Sequence, residues 1–348
     1  MKIAVGLSGG VDSAVAALLL KQASHTVVGV MMKLWREGRY KGGAKDACFG
    51  PGEKEDAEDA QRLADMLGIE FKTFDLSDEY EKIVLDYFRR ENSAGRTPNP
   101  CVVCNRSLKF ALLPKAASQC FDFDRFATGH YARLVKVGTQ RLAVSAAADK
   151  SKDQSYFLWN LSQDQLARIE FPLGNLTKAE VRSIAREAGL PMAEKKESQD
   201  FYSGDLCELI GKEECEGEIV STDNKTLGTH KGYWQYTIGQ RQGLGIGGGI
   251  PYYVVKVVPH ENKVVVGRRE EAVETEFKLT NINYQGAEPT DKIITGFVKV
   301  RSSGDAAGPV EFDKGTIRAQ EGIFGVAPGQ SAVLYSDKGA ILLGGIIA

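Results

Sequence analysis

The chain is most tightly constrained by its first 22 residues, where the apolar run IAVGL meets the turn SGGVDS and passes directly into the Ala/Leu-rich stretch AVAALLLKQ. A strand, a glycine turn and a helix in that order open an α/β sheet. Gly9 and Gly10 let the backbone turn closely enough to present successive N–H groups, Ser8 and Ser13 add hydroxyls, and the helix that follows presents its positive end. Residues Gly6, Leu7, Ser8, Gly9, Gly10, Val11, Asp12 and Ser13 are therefore expected to cradle phosphate. Asp12 is unfavourable beside phosphates unless it meets a cation, and a Mg²⁺ ion bridging Asp12 and pyrophosphate oxygens would satisfy it. Two familiar alternatives fail on spacing, since the chain has neither a GK[ST] after four intervening residues nor GxGxxG here.

The alternation continues. HTVVGVMMKLW reads as a second strand, residues 53–67 as a helix, IEFKTFDL as a third strand and residues 78–90 as a helix. Three such alternations predict a parallel sheet covered on both faces. The segment AGRTPNPCVVCNRS reads as loop, because Pro98 and Pro100 remove donors and bias the residues before them away from helix. Residues 110–119 resume a helix, FDRFATGHYARL supplies another strand, and TKAEVRSIAREAGL is an amphipathic helix with Thr177 and Glu180 in capping-box positions. Met32 and Gly129 fall at the carboxyl ends of strands, where open α/β sheets bind ligands, and Gly129 has no side chain to keep a nucleobase away. His130 is equally plausible as a packed histidine and is given no catalytic role.

After about Glu208 glycine density rises, short runs such as YYVVKVV and KVVVGRR alternate with turn signals, and helical periodicity fades. The expected architecture is α/β at residues 1–207, a small mixed domain at 208–275 and a β-barrel at 276–348. Lys plus Arg total 44 against 46 for Asp plus Glu, so the net charge of −2 does not advertise a nucleic-acid partner. A local basic patch could still serve one, because counterion release depends on the contacting surface. The N-terminus lacks a long apolar h-region and no run approaches the length of a membrane span, which together predict a cytoplasmic protein with no membrane partner. The six cysteines, at 48, 101, 104, 120, 207 and 215, are too unevenly spaced for a disulfide framework.

Cys101 and Cys104 are separated by two residues in GRTPNPCVVCN. That spacing suits a disulfide, a redox pair, two metal ligands or a persulfide carrier with its resolving thiol. Structural zinc is disfavoured, because no second close Cys or His pair completes four ligands. Cys120 follows an Ala-rich helix and is expected in the core.

The pattern SGGxDS resembles the signature of the ATP pyrophosphatase superfamily, whose members cleave ATP between the α and β phosphates and hold an adenylated substrate. The whole chain resembles the tRNA-specific 2-thiouridylases, through GLSGGVDSAVAA, VMMKLW, GRTPNPCVVCNRSLKF, ATGHYAR, KDQSYFLWNL, FPLGNLTKAEVRSIAREAGLP and GYWQYTIGQRQGLGI. The resemblance implies an N-terminal ATP pyrophosphatase domain, a central domain and a C-terminal barrel. It implies ATP and Mg²⁺ as cofactors, a sulfur donor, and tRNAs for Lys, Glu and Gln as partners thiolated at the wobble uridine, and it leaves the oligomeric state open. It puts Gly6–Ser13, Met32 and Gly129 at ATP, and Asn99, Pro100 and Cys101 at the target base. It further puts Lys152, Asp153, Gln154, Arg301 and Ser302 at tRNA, and makes Cys104 catalytic with Asp12.

The chain departs from the family where the second catalytic cysteine should stand. KKESQDFYSGDLCELI places Tyr202 at that position, and a phenol cannot carry a sulfane sulfur. Three accounts follow. Cys101, Cys104 and Cys207 hold a [4Fe-4S] cluster that delivers sulfide, as in related thiolases; or Cys207 replaces the missing thiol, with Cys48 or Cys215 in reserve; or thiolation is lost and only nucleotide and tRNA binding remain. Argininosuccinate-type ligation, which also uses SGGxDS, is the enzymatic alternative outside the family, and it has no need of the paired cysteines.

Overall fold

The computed structural model describes residues 1–42, 47–138, 140–195, 201–247 and 249–348. The motif KKESQD therefore lies, beyond its first lysine, outside the described residues until Phe201. The chain forms two compact units. The first holds Met1–Val84, Pro100–Asp205 and Gly339–Ile341, and the second holds Leu85–Asn99, Leu206–Lys338 and Leu342–Ala348. Among the described residues no helix is long and apolar enough to cross a membrane.

The first unit is built on a parallel sheet of β1 (Lys2–Gly6), β2 (Thr26–Lys33), β3 (Glu70–Asp75), β4 (Arg125–Thr128) and β7 (Ile169–Glu170), in the order β3-β2-β1-β4-β7. Helix α1 (Val11–Gln22) carries the chain from β1 to β2, and α2 (Glu53–Leu67) from the loop after β2 to β3. β1 is central, and its residues Ile3, Ala4 and Val5 are fully buried, as expected of a strand covered on both faces. Ala14, Val15, Ala17 and Leu18 of α1 share one core with Leu63 and Leu67 of α2, so the small residues that made the stretch read as helix also let it lie close against the sheet. A further helix spans Lys178–Glu187, and Thr177 and Glu180 form the expected capping box. A two-stranded ribbon of β5 (Arg133–Val137) and β6 (Arg141–Ser145) completes this unit's strands.

One expectation is overturned. From Pro100 the segment read as loop is helical: residues Pro100–Cys104 form a helical turn, and Asn105–Leu112 continue it with wider π-type turns. Pro100 is the first helical residue, where its missing N–H is no loss and its fixed φ favours the helix. Proline marks a start here, and the loop ends at Asn99.

In the second unit, β8 (Gly217–Ser221), β9 (Thr226–His230), β10 (Tyr253–Val258) and β11 (Lys263–Gly267) form a four-stranded sheet ordered β10-β11-β8-β9. The six strands β12 (Val273–Tyr284), β13 (Ile294–Lys299), β14 (Ala307–Asp313), β15 (Thr316–Phe324), β16 (Ser331–Tyr335) and β17 (Ile341–Ile347) close into a barrel. Phe277, Val298, Phe312, Ile317 and Leu334 fill it. Residues 85–99 belong here: Arg89 Nε donates to the Leu209 carbonyl at 2.9 Å, the Tyr233 hydroxyl to that of Ser93 at 2.7 Å, and Thr97 N–H to that of Pro328 at 2.8 Å.

Gly129, just past β4, shows why glycine is required there. A Cβ at Gly129 would stand 2.6 Å from the Asp12 carbonyl carbon and the Ser13 nitrogen, so β4 ends against the backbone that starts α1. Gly129→Ala is expected to destabilise the protein by about 1–3 kcal/mol through overpacking. Urea unfolding measures it, and a midpoint equal to wild type would mean that α1 shifts without cost.

Candidate functional site

The glycine loop between β1 and α1 has the conformation its residues allow. Gly9 is left-handed at φ 68°, and a Cβ there would meet the Asp56 carbonyl oxygen at 2.6 Å, so α2 packs directly on the loop. Gly10 is extended at the N-terminus of α1, a 12-residue helix, whose first N–H groups and positive end face the loop. Ser8 N–H donates to Ser13 Oγ at 3.1 Å, and Ser13 Oγ donates to the Gly10 carbonyl at 3.2 Å. Ser13 is buried, so its hydroxyl holds the loop's shape, while Ser8 is exposed at its mouth. Leu7 and Val11 are core residues, which leaves only their backbone for a ligand. Met31 faces the core, and Met32, the next residue in β2, is half-buried on the opposite face.

Asp12 meets a cation that sequence reasoning missed. Lys178, first residue of the helix Lys178–Glu187, places Nζ 2.7 and 2.9 Å from the two Asp12 carboxylate oxygens, and the Tyr131 hydroxyl donates to the same carboxylate at 2.8 Å. Lys178 is buried, its ammonium lies 5.7 Å from the centre of the Tyr131 ring, and its backbone N–H donates to Asp149 at 3.0 Å. A lysine in the first helical turn opposes the helix dipole, and that misplacement was the available signal. Among the described residues no group of three or more His, Cys, Asp or Glu side chains is arranged to hold a metal ion. Asp12 thus offers a divalent cation one carboxylate, which suits Mg²⁺ when phosphates and water supply the other ligands.

Glu53 was also missed. Its carboxylate accepts the N–H groups of Leu34 at 2.6 Å and Trp35 at 3.0 Å, tying the start of α2 to the chain beyond β2. Burial outweighs those bonds and pushes its pKa up to about 7. His130 is packed, the reading that gave it no catalytic role. Its Nδ1 is 2.7 Å from Thr128 Oγ1, its ring leans on Phe110, and burial drives its pKa well down.

Cys101 and Cys104 stand one helical turn apart in Pro100–Cys104, both half-buried. Burial pushes both thiols up, Cys104 to about 11, while the Lys109 ammonium opposes the shift at each. Lys109 is a third residue that sequence reasoning did not single out. Cys48 joins this group, for its thiolate would be repelled by those of Cys101 and Cys104 and attracted by Lys109. Its thiol is raised chiefly by burial, although the residue as a whole is exposed. Cys207 lies in the second unit, in the short helix Leu206–Ile210, with Gln235 Nε2 at 3.9 Å from its sulfur. Cys215 is exposed, 3.4 Å from Asn262 Nδ2. Cys120 is exposed as well, with Lys72 Nζ at 3.1 Å, so its expected place in the core is wrong: the helix before it ends at Ala117, and the chain has turned to the surface. All six cysteines are free thiols.

The residues expected at RNA have varied settings. Asn99 and Pro100 are buried, Asn99 N–H donating to the Tyr87 hydroxyl at 3.3 Å. Asp153 accepts N–H groups from Ala147 and Ser155, and Gln154 Oε1 accepts the Tyr131 N–H at 2.9 Å, so these two side chains brace the segment that delivers Tyr131 to Asp12. Lys152 is half-buried beside them. Arg301 and Ser302 are exposed, and the Arg301 and Arg269 guanidiniums lie 5.4 and 4.7 Å from the centre of the Phe324 ring.

The chain matches three domain families in succession: the tRNA methyl transferase HUP domain over residues 1–203, the tRNA methyl transferase PRC-barrel domain over 205–268 and the aminomethyltransferase beta-barrel domain over 274–347. It is 41% identical over 357 residues to the tRNA-specific 2-thiouridylase MnmA of Endomicrobium trichonymphae, covering 100% of this chain and 99% of that protein. It is 41% identical over 355 residues to the protein of the same name from Gloeothece citriformis, covering 99% of this chain and 98% of that one.

Two measurements follow from this geometry. Lys178→Met removes the cation and leaves Asp12 to repel phosphates, so ATP binding by titration calorimetry should weaken at least about tenfold, ~1.4 kcal/mol; unchanged affinity would make Lys178 purely structural. Glu53 has a raised pKa in the folded state, so its protonated form is favoured there, and the stability this adds is present below pH 4.5 and lost as pH rises towards about 7. Relative to Glu53→Gln, wild type should lose on the order of 2 kcal/mol between pH 4.5 and 7.5 in urea unfolding. A constant difference across that range would refute the assignment.

Proposed function

The chain belongs to the tRNA-specific 2-thiouridylase family, and from that premise we propose how its own residues divide the work. The enzyme thiolates the wobble uridine of tRNA in an ATP-dependent reaction that passes through an adenylated base. The uridine C2 oxygen attacks the α phosphorus of ATP, and pyrophosphate leaves. The backbone N–H groups around Gly9 and Gly10 and the Lys178 ammonium bind the leaving phosphates. Mg²⁺ held at the Asp12 carboxylate would add charge neutralisation there. Tyr131 and Lys178 orient Asp12, and Met32 and Gly129 border the nucleotide at the carboxyl ends of β2 and β4. A sulfur nucleophile then forms the C2–S bond as the C2–O bond to AMP breaks.

Cys104 is the thiol we assign to completing that second step, freeing the transferred sulfur from its carrier. The observation that carries the assignment is the presence, in one compact unit, of the Asp12–Lys178 loop and a cysteine pair whose charge Lys109 opposes. Asn99, Pro100 and Cys101 take the target base, and Lys152, Arg301 and Ser302 the tRNA backbone, while Asp153 and Gln154 act through their bracing of Tyr131. The accepted tRNAs are those for Lys, Glu and Gln, and the sulfur donor carries sulfane sulfur as a protein persulfide. Free thiols throughout suit a reducing cytoplasm.

A [4Fe-4S] cluster on Cys101, Cys104 and Cys207 finds less support. Cys207 would have to join the Cys101–Cys104 pair as third ligand, whereas a relay between two thiols needs no bound iron. A thiol relay needs only the cysteines of the first unit. The test is anaerobic purification followed by incubation with ATP, Mg²⁺, tRNA and a persulfide donor. Pyrophosphate release that requires tRNA, 2-thiouridine in the digested tRNA, and negligible iron are expected. About four irons per chain would restore the cluster. Pyrophosphate without 2-thiouridine would mean that thiolation has been lost, and neither product would point to another ligation.

A further inference from the structure

We propose that Cys48 is the second thiol of the relay, supplying from the loop before α2 the sulfur that position 202 has lost. The proposal rests on the thiolation reading above. Phe49 N–H donates to the Phe201 carbonyl at 2.9 Å, and the Cys48 sulfur lies 3.7 Å from the same oxygen. Residues 48–49 and 201–202 therefore run side by side, and a thiol at 48 stands next to the backbone that would have borne one at 202. Tyr202 turns inward: it is only 9% exposed, and its ring packs 6.0 Å from that of Phe49. Phe49 in turn stacks on Tyr80 at 4.9 Å and meets Trp35 at 5.0 Å. That aromatic cluster fixes Cys48 at its edge and takes position 202 out of chemistry.

Lys109 favours the Cys48 thiolate, while burial and the sulfurs of Cys101 and Cys104 oppose it. Tyr80, stacked on Phe49, feels the charges of Cys48, Cys104 and Cys101, so all three sulfurs belong to its surroundings within a single compact unit. Cys48 is the exposed member and Cys104 the half-buried one. A protein donor can reach the first, and the second is sheltered with the nucleotide site's unit.

The steps balance. The Cys48 thiolate takes the sulfane sulfur from a persulfide donor, which leaves as a thiol, and Cys48 becomes a persulfide. Its terminal sulfur attacks C2 of the adenylated uridine, forming C2–S as C2–O breaks and AMP departs. The Cys104 thiolate then attacks the inner sulfur of Cys48. The sulfur–sulfur bond to the base breaks, its electron pair stays on the 2-thiouridine sulfur, and a Cys48–Cys104 disulfide forms. A dithiol reductant returns two electrons to restore both thiols.

The decisive experiment compares wild type, Cys48→Ala, Cys48→Ser, Cys207→Ala and Cys120→Ser in the tRNA assay, reading 2-thiouridine and pyrophosphate together. In both Cys48 variants 2-thiouridine should fall about 100-fold or more while pyrophosphate release changes less than about fivefold, which separates loss of the relay from loss of fold. Cys120→Ser should match wild type in both. Without reductant, peptide mapping of wild type after turnover should show a Cys48–Cys104 disulfide. Retention of 2-thiouridine in Cys48→Ala, or a disulfide from Cys104 to Cys207, would overturn the proposal. Pyrophosphate without 2-thiouridine in wild type itself would overturn the reading beneath it, and is told apart because it appears before any substitution.

Discussion

The nucleotide loop depends on a charge conflict that two misplaced residues settle between them. Asp12 sets a carboxylate in an anion cradle, and Lys178 sets an ammonium at the positive end of a helix. Each placement is unfavourable alone, and each is the other's remedy at 2.7 Å. The pair joins α1 to a helix 166 residues further along the chain, and Tyr131, Gln154 and Asp149 are arranged to hold it. Because Lys178 is buried, losing its partner would leave a charge with little water to accept it, so the pair fixes the helix as well as the loop.

Much of the fold was legible because it is written locally. Buried β-branched runs specify parallel strands, glycine sets the turn after β1, and Thr177 with Glu180 marks a helix start. The failures share a cause. Pro100 was read as a helix breaker when its position made it a helix opener, and only the residues after it decide between those meanings. Cys120 was read as core from the helix preceding it, but three residues beyond a helix end are enough for the chain to reach the surface. Periodicity describes the segment that carries it and does not extend past the segment's end.

The site divides along the same line. The glycine loop and the CxxC spacing are contiguous in sequence and could be seen there, whereas Lys178, Tyr131, Lys109 and Glu53 reach their partners only through the tertiary fold. Asp153 and Gln154 show a further limit. A polar segment that looks built for RNA has its two side chains turned to backbone N–H groups, where they position Tyr131.

Tyr202 and Cys48 make one argument together. A side chain at 202 that joins Phe49, Tyr80 and Trp35 gains apolar burial, which a thiol could not match in area. The exchange stabilises the cluster but removes the reactive atom, so the reaction depends on another sulfur beside the same segment. The hydrogen bond from Phe49 to the Phe201 carbonyl sets the register between the two segments, and in that register Phe49 joins the aromatic cluster while the Cys48 sulfur lies 3.7 Å from the Phe201 carbonyl. Phe49 is buried among the aromatics at 2% exposure, and Cys48 beside it is exposed. Moving a catalytic thiol from one segment to its neighbour then requires no change in the sheet, the nucleotide loop or the helix that carries Cys104.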